Sequence, residues 1–348
     1  NGTDINVAGL DGTIQGARRV VLEGVQSYQA TAIDNALIGT ISADAGSYAN
    51  AGNETAVLTR LNQVGNDRVH LVAGVEIQSA GDINLNTPFD LAGLRFNGQP
   101  LNLTLRAAGD ITLDHLLGDG FGAGGQLAGF SSDIRIAAGA DLASAYTASA
   151  VAGSGGDLTV ADTLRTGTGD ITIAASGDLH LNTLDSVIYS AGQSSGFDLD
   201  RHQVSDPLSG KPASTAALPT DGGDLRIAVG GDVIGPGGEN DQTQIGTDWL
   251  TRMDYQQDEV FVIIPGILEL VLAYEELEGW GVDFGGFQQQ IAAFGGGDVD
   301  LHVGGDLVRT GVSLPTTYYI DPLLNSPNRL GEGKLNATIG GDVTGGLF

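Results

Sequence analysis

The chain has 348 residues, a formal net charge of −28 and no cysteine. With 15 Lys and Arg against 43 Asp and Glu, it cannot form the basic surface that nucleic acids or anionic membranes require. The absence of cysteine excludes disulfides, thiolate catalysis and thiolate metal sites. The 55 glycines lie well above the usual share of about 7%, yet a hydrophobic fraction of 41% is ample for a core.

The first 65 residues contain two kinds of pattern. Residues 1–30 carry short apolar groups separated by glycines, which predicts that they already belong to the main β structure. In residues 31–65, Ile33, Leu37 and Ile41 follow helical spacing, and Asn53-Glu54 precedes a second apolar group. We therefore predict a side insertion at 31–65 that contains a short capped helix.

A repeated Gly-Asp doublet organises the rest of the chain. Gly169-Asp170 opens a short segment of alternating apolar residues, and Gly177-Asp178 does the same eight residues later. The same step recurs in two strong and four weaker pairs: Gly223-Asp224 with Gly231-Asp232, Gly297-Asp298 with Gly305-Asp306, Asp133 with Asp141, Asn102 with Asp110, Gly74 with Asp82, and Lys334 with Asp342. Internal repetition at a fixed step indicates a repeat architecture.

This repeat predicts an all-β fold, a right-handed parallel β-helix (solenoid) with short helical and loop insertions. A strand of four or five residues cannot bury its apolar side alone, so successive turns must stack about 4.8 Å apart. We expect inward columns of Ile, Leu and Val. Within residues 69–183 the alternation predicts these inward positions: Val75, Ile77, Ile83, Leu85, Leu103, Leu105, Ile111, Leu113, Ile134, Ile136, Leu158 and Val160. We expect glycine at the corners for its positive φ, and Asp there for bonds to backbone N–H groups two residues on.

Three further stretches interrupt the repeat. Residues 184–222 are polar and predict a surface excursion, while 311–333 are rich in Pro and Asn and predict a loop. Residues 235–296 form the largest insertion and are predicted to be partly helical, with a helix around 267–274. The apolar run at 260–264 is too short, and too soon followed by Pro265 and Glu269, to insert into a membrane.

We interpret residues 1–348 as a single β-helix segment of a longer chain. The final residues directly follow a repeat, and solenoids need caps to cover their sheet edges.

The polar residues do not predict a reaction centre. His70, His115, His180, His202 and His302 show no paired metal-ligand spacing, and alternation places His180 and His302 outward. A polysaccharide-cleaving β-helix would need clustered carboxylates. Asp170, Asp178, Asp224 and Asp232 qualify by residue type alone, but their corner role accounts for them. We therefore predict no enzyme and assign no catalytic, cofactor-binding or metal residue.

The acidic composition favours a highly soluble surface that resists association, and binding of a divalent cation such as calcium is the alternative. The chain lacks the nonapeptide that binds calcium in β-rolls, so we expect no dedicated site. Adventitious calcium on acidic loops such as Asp198 and Asp200 remains an alternative.

Several phrases of the chain resemble filamentous haemagglutinin-type exoproteins, in the conserved body region rather than the secretion domain. The resemblance covers most of the chain and depends on seven segments: Gly16-Ala17-Arg18-Arg19-Val20, 74–82, 105–110, 165–171, 186–192, 294–299 and 313–317.

This resemblance implies a large bacterial protein of the two-partner secretion family, exported through an outer-membrane barrel. We therefore expect a secreted or cell-surface location and a structural, adhesive role as a rigid shaft with lateral insertions for contacts. Its partners would be a host or neighbouring-cell surface, a glycan or other copies of itself. The alternatives are a subunit of a self-assembling extracellular filament or matrix and, in a different class, a polysaccharide-active β-helix enzyme.

Overall fold

The computed structural model describes residues 16–17, 19–196, 203–205, 217–237, 249–256, 276–321, 326–346 and 348. Their strands form three stacked parallel sheets, which we name sheets A, B and C. The chain visits the sheets in the order A, B, C and then returns to A, one strand below. The predicted parallel β-helix is therefore confirmed.

Sheets A and B each contain eight strands, and sheet C contains six. Sheet A comprises β1 (Val20–Gln29), β3 (Val69–Ser79), β8 (Asn102–Ala107), β13 (Ile134–Ala138), β16 (Ile171–Ala175), β22 (Leu225–Val229), β27 (Val299–Val303) and β32 (Leu335–Ile339). Sheet B comprises β2 (Ala32–Ile33), β4 (Ile83–Leu85), β9 (Ile111–Leu113), β14 (Leu158–Val160), β17 (Leu179–Leu181), β23 (Val233–Ile234), β28 (Leu307–Val308) and β33 (Val343–Thr344). Sheet C comprises β5 (Phe89–Asp90), β10 (Leu117–Gly118), β15 (Leu164–Thr166), β18 (Ile188–Ser190), β26 (Ile291–Ala293) and β29 (Val312–Ser313).

The interior of the coil is a stack of aliphatic side chains. Ile134 pairs with Leu103 and Ile171 in sheet A, and Leu158 pairs with Ile111 and Leu179 in sheet B. The inward residues predicted in strands β3 to β14 are at most 2% exposed. Each such side chain contributes about 1.5–3 kcal/mol through burial, so the apolar alternation directly stabilises the winding.

The excursion predicted at 31–65 contains two helices, α1 (Asn35–Tyr48) and α2 (Ala51–Arg60). Asp34 caps α1 by accepting the N–H of Leu37, and Asn50 caps α2. Ile33 differs from the prediction because it belongs to a sheet B strand and is fully buried.

Two predicted insertions prove narrower than expected. Ile188–Ser190 lies within 184–222 and Ile291–Ala293 lies within 235–296, yet both are strands of sheet C. The predicted helix at 267–274 lies outside the described residues. Glu276–Val282, which follows it, is a strand.

Residues 139–156 are an excursion that the repeat did not reveal. Asp133 opens a sheet A strand, but the next sheet B strand begins after Asp157 and not after Asp141. The extra segment, which we call the overhang, leaves the corner between sheets A and B and returns to it.

A second, antiparallel sheet lies beside the coil and joins parts of the three stretches that were predicted to interrupt the repeat. Its strands are β20 (Gln203–Ser205), β24 (Leu250–Gln256), β25 (Glu276–Val282), β30 (Thr317–Asp321) and β31 (Ser326–Leu330). The prediction of a plain loop at 311–333 is therefore wrong, because β29, β30 and β31 all lie there. We call this five-stranded structure the lateral sheet.

Short antiparallel pairs close three other excursions: β6 (Arg95–Phe96) with β7 (Gln99–Pro100), β11 (Phe121–Gly122) with β12 (Gly125–Gln126), and β19 (Gln193–Ser194) with β21 (Pro219–Thr220). A 3-10 turn covers Leu91–Gly93. Within the described ranges, no helix has the length and apolar character needed to cross a membrane.

Candidate interaction surfaces

The corner before sheet B carries an uninterrupted ladder of aspartates. The backbone N–H of each aspartate donates to the Oδ1 of the aspartate one turn earlier, as Asp232 does to Asp178 and Asp306 does to Asp232, both at 2.7 Å. The ladder runs through Asp82, Asp110, Asp157, Asp178, Asp232, Asp306 and Asp342. We predicted that each corner aspartate accepts a backbone N–H two residues along its own turn. The structure shows instead that its Oδ1 accepts the N–H of the aspartate on the next turn.

A second ladder occupies the corner before sheet A. It runs through Asn102, Asp133, Asp170, Asp224, Asp298 and the N–H of Lys334, with N···Oδ1 distances of 2.8–3.1 Å. Burial raises the pKa of Asp133, against the opposing effects of the Asp170 N–H and Arg135. Arg226 lies over the ladder and contacts the Oδ2 atoms of Asp170 and Asp224 at 3.2 and 2.9 Å.

At the corner before sheet B, close approach to the ladder carboxylates explains glycines such as Gly231 and Gly305. A Cβ added to Gly231 would lie 2.0 Å from Oδ1 of Asp178, and one on Gly305 would lie 2.0 Å from Oδ1 of Asp232. Neither glycine has a positive φ. The expected conformational reason is therefore wrong at these corners, because what matters there is room for the carboxylate below. At the corner before sheet A, a Cβ on Gly223 or Gly297 would instead meet a backbone carbonyl oxygen of the previous turn.

The four aspartates considered for polysaccharide cleavage are divided between the two ladders. Asp170 and Asp224 stack at one corner, while Asp178 and Asp232 stack at the other. Each Oδ1 already accepts an N–H from the next turn. The structure brings the acids together along the coil rather than into one cleft, so it gives the enzyme hypothesis no support.

The histidines lie apart from one another. His70 approaches Glu54 at 3.8 Å and His180 approaches Asp178 at 3.9 Å, while His302 is exposed. His180 and His302 point outward, as predicted. Across the described part of the chain, no three His, Cys, Asp or Glu side chains form a metal-binding group. His202 and the suggested calcium ligands Asp198 and Asp200 lie outside the described residues.

A buried ion pair holds the overhang against sheet A. Arg106, which is 3% exposed, donates to Oε1 of Glu76 at 2.7 Å, to the carbonyl of Ser144 at 3.1 Å and to the carbonyl of Asp141. Although burial raises the pKa of Glu76, bonds from Arg106, Gln78 and Ser27 outweigh it and keep that pKa below its usual range. The guanidinium of Arg106 therefore connects the coil to the overhang.

The overhang and the outer face of sheet A form an open groove of about 700 Å³, which we call the shelf. Its floor is the outward column Ala174, Ala228, His302 and Thr338, which are neighbours in register across four strands. Its wall includes Tyr146, which is 66% exposed. The shelf thus extends along the coil axis, across the strands.

An aromatic cluster covers the outer face of sheet C. Tyr189 and Phe294 project from the coil, and Trp249, Phe284 and Phe287 come from the chain segments that lead into and out of the lateral sheet. Phe294 lies 5.7 Å from Trp249 and 5.1 Å from Phe284 between ring centroids, in edge-to-face geometry. Phe121 completes the cluster, with Arg165 stacked 4.2 Å above its ring. Such pairs add about 0.5–1.5 kcal/mol each beyond burial.

Sequence reasoning missed both the aromatic cluster and the shelf. The members of the cluster lie up to 173 positions apart (Phe121 to Phe294), so no local pattern joins them. The overhang was hidden because Asp141 happens to follow Asp133 at the repeat step. A comparison of the chain with protein-family models, curated proteins and solved structures found no match in any of the three.

Proposed function

We propose that this chain is a structural, adhesive segment of a large secreted bacterial surface exoprotein of the filamentous haemagglutinin type. The coil serves as a stiff shaft, and the lateral sheet serves as the platform that contacts a cell surface or another copy. An outer-membrane barrel is its partner during export. The family, location and export route come from the sequence resemblance alone.

The architecture of the coil supports the role of the shaft. Parallel strands continue through eight turns in sheets A and B, and the aspartate ladders tie each turn to the next. Because every turn contacts mainly its neighbours, turns can be added along the axis without changing the cross-section.

The observation that carries the proposal is the convergence of three excursions in one lateral sheet beside the shaft. The lateral sheet takes strands from three separate stretches of sequence. Phe294 and Tyr189, fixed in the coil, pack against Trp249 and Phe287, which belong to the excursion. The platform is therefore anchored by a shared core rather than by a linker, as a contact-bearing structure on a rigid support requires.

The direct test shortens the excursion at 235–296 and keeps strands β24 and β25 at its base. Gln256 pairs with Glu276 in the β24–β25 hairpin, so an Asn-Gly turn can replace residues 257–275. We expect far-UV circular dichroism and thermal unfolding of the coil to be retained and attachment to target cells to fall at least tenfold. A control variant of unchanged length replaces Val260, Val262 and Ile264 by Ser. It separates the contribution of these apolar side chains to attachment from the contribution of the length of the excursion.

Retained attachment in the shortened chain would contradict the assignment of adhesion to this excursion. Deletion of a neighbouring secretion-barrel gene should trap the parent protein inside the cell, and normal export in that strain would contradict the export route.

Electron microscopy of native material distinguishes the adhesive shaft from the alternative of a filament subunit. Single tethered rods support the shaft, whereas regular fibres in which this segment repeats support a filament subunit.

A further inference from the structure

The shelf on sheet A has the shape and chemistry of a binding site that is separate from the lateral sheet. Its floor carries two alanine methyl groups followed by the imidazole of His302 and the hydroxyl of Thr338. Serine side chains and backbone groups line its wall, where Tyr146 presents an exposed ring. Apolar surface with a few polar groups and one exposed aromatic ring is a common composition of ligand sites.

The charge around the shelf specifies its occupant further. The two ladders border sheet A on both sides of the shelf, with Asp170, Asp224 and Asp298 at one edge and Asp178, Asp232 and Asp306 at the other. Arg226 is the only Lys or Arg in strands β16, β22 and β27, and it already contacts Asp170 and Asp224. Asp178 and Asp224 side chains keep 36% and 37% exposure. An anionic ligand is therefore repelled and a cationic ligand attracted.

The spacing of the carboxylates favours a sugar chain over a peptide. Successive ladder carboxylates repeat with the strands, about 4.8 Å apart, which is close to the rise of one pyranose in an extended glycan. Side chains on one face of an extended peptide recur only every two residues, about 6.7 Å. The flat floor and the Tyr146 ring also suit the apolar face of a pyranose.

We propose that the shelf binds a cationic amino-sugar chain, such as β-1,4-linked glucosamine, lying along the coil axis. Tyr146 stacks on one ring, His302 and Thr338 hydrogen-bond its hydroxyls, and the ladder carboxylates attract the ammonium groups. This surface belongs to the shaft and goes beyond the contacts proposed for the lateral sheet. Binding of the amino-sugar chain is measured on the purified protein. The result therefore does not depend on export or on cell attachment, which test the proposed function.

The test is calorimetric titration of the purified chain with glucosamine oligomers, their N-acetylated counterparts and a lysine-rich peptide of equal charge. We expect the glucosamine oligomer to bind at least tenfold more tightly than either comparison ligand. Tyr146→Ala should weaken it at least tenfold, as should Ala228→Gln, which places a side chain on the exposed floor. Phe130→Ala is the matched control, because it removes an aromatic ring that is 52% exposed and lies outside the shelf. This variant should bind the glucosamine oligomer with unchanged affinity.

Three results would overturn the proposal. Absence of glucosamine binding to a folded chain refutes it outright. Equal binding of the N-acetylated oligomer shows that the carboxylates do not select the ligand. Peptide binding that equals glucosamine binding and survives Tyr146→Ala shows unspecific attraction to an acidic surface.

Discussion

The backbone N–H of Asp232 donates to Oδ1 of Asp178 across 2.7 Å, from one turn of the coil to the turn before it. Asp178→Ala removes the acceptor and leaves that N–H half-buried without a partner, which costs about 1–3 kcal/mol. Asp178→Asn keeps an oxygen in place and should cost less than about 1 kcal/mol. Denaturant unfolding measures both, and amide hydrogen exchange at Asp232 should accelerate only in the alanine variant.

Glycine at the ladder corner before sheet B should be far less replaceable than a glycine with open space around it. Gly231→Ala places a methyl group against the Asp178 carboxylate, and such overpacking costs about 1–3 kcal/mol. The matched control is Gly39→Ala in the exposed interior of α1, where a Cβ meets nothing within 4 Å and helix propensity predicts a gain of up to about 1 kcal/mol.

A double-mutant cycle tests the cause of the Gly231 effect. In the Asp178→Ala background the methyl group has no carboxylate to displace and its nearest remaining neighbour is the Gly177 backbone carbonyl, 3.0 Å away, so Gly231→Ala should cost less. Equal costs in the two backgrounds would show that the glycine is needed for a reason other than the ladder.

The ion pair between Glu76 and Arg106 should stabilise the chain in a pH-dependent way. Because the pKa of Glu76 is lowered on folding, its stabilisation is complete above the ordinary carboxyl pKa and is lost as the pH falls through the lowered value. Glu76→Gln should cost about 2 kcal/mol at pH 7, and this cost should shrink as the pH falls through the lowered pKa of Glu76, measured by urea unfolding over a pH series. Glu332→Gln, in an exposed pair with Arg329, should cost under about 0.5 kcal/mol across the same series.

The anchor of the lateral sheet can be tested at Phe294, which is fully buried. In a Trp280→Phe background, Trp249 is the remaining tryptophan and its emission reports the aromatic cluster. Phe294→Ala should shift that emission to longer wavelength and lower stability by about 3–5 kcal/mol. An unshifted spectrum would show that Trp249 is not held by this ring.

The winding of the coil could be predicted from the sequence because its cause is local. Alternate Ile and Leu residues bury one face of each short strand, and Gly-Asp marks many of the corners, so the inward positions predicted between Val75 and Val160 are all buried. Phe89 and Leu117 are also buried in sheet C, and the pattern did not predict them. The ladder itself was not predictable from one doublet. Asp178 receives its bond from Asp232, a residue 54 positions away.

The excursions were predicted less well because tertiary contacts decide them. Asp141 follows Asp133 at the eight-residue spacing of the repeat, but it belongs to the overhang, where Arg106 donates to its carbonyl. Asp157 occupies the ladder position instead. The strands of the lateral sheet pair across separate insertions, which no local pattern encodes.

The rigidity of the shaft is most directly tested by a distance between its two ends. Ser27 and Asn336 occupy one outward column of sheet A, seven strands apart, and the chain has no cysteine of its own. Spin labels on Ser27→Cys and Asn336→Cys should give a narrow distance distribution centred near seven strand spacings, about 34 Å. A broad distribution, or one centred well below that value, would contradict a continuous stiff coil.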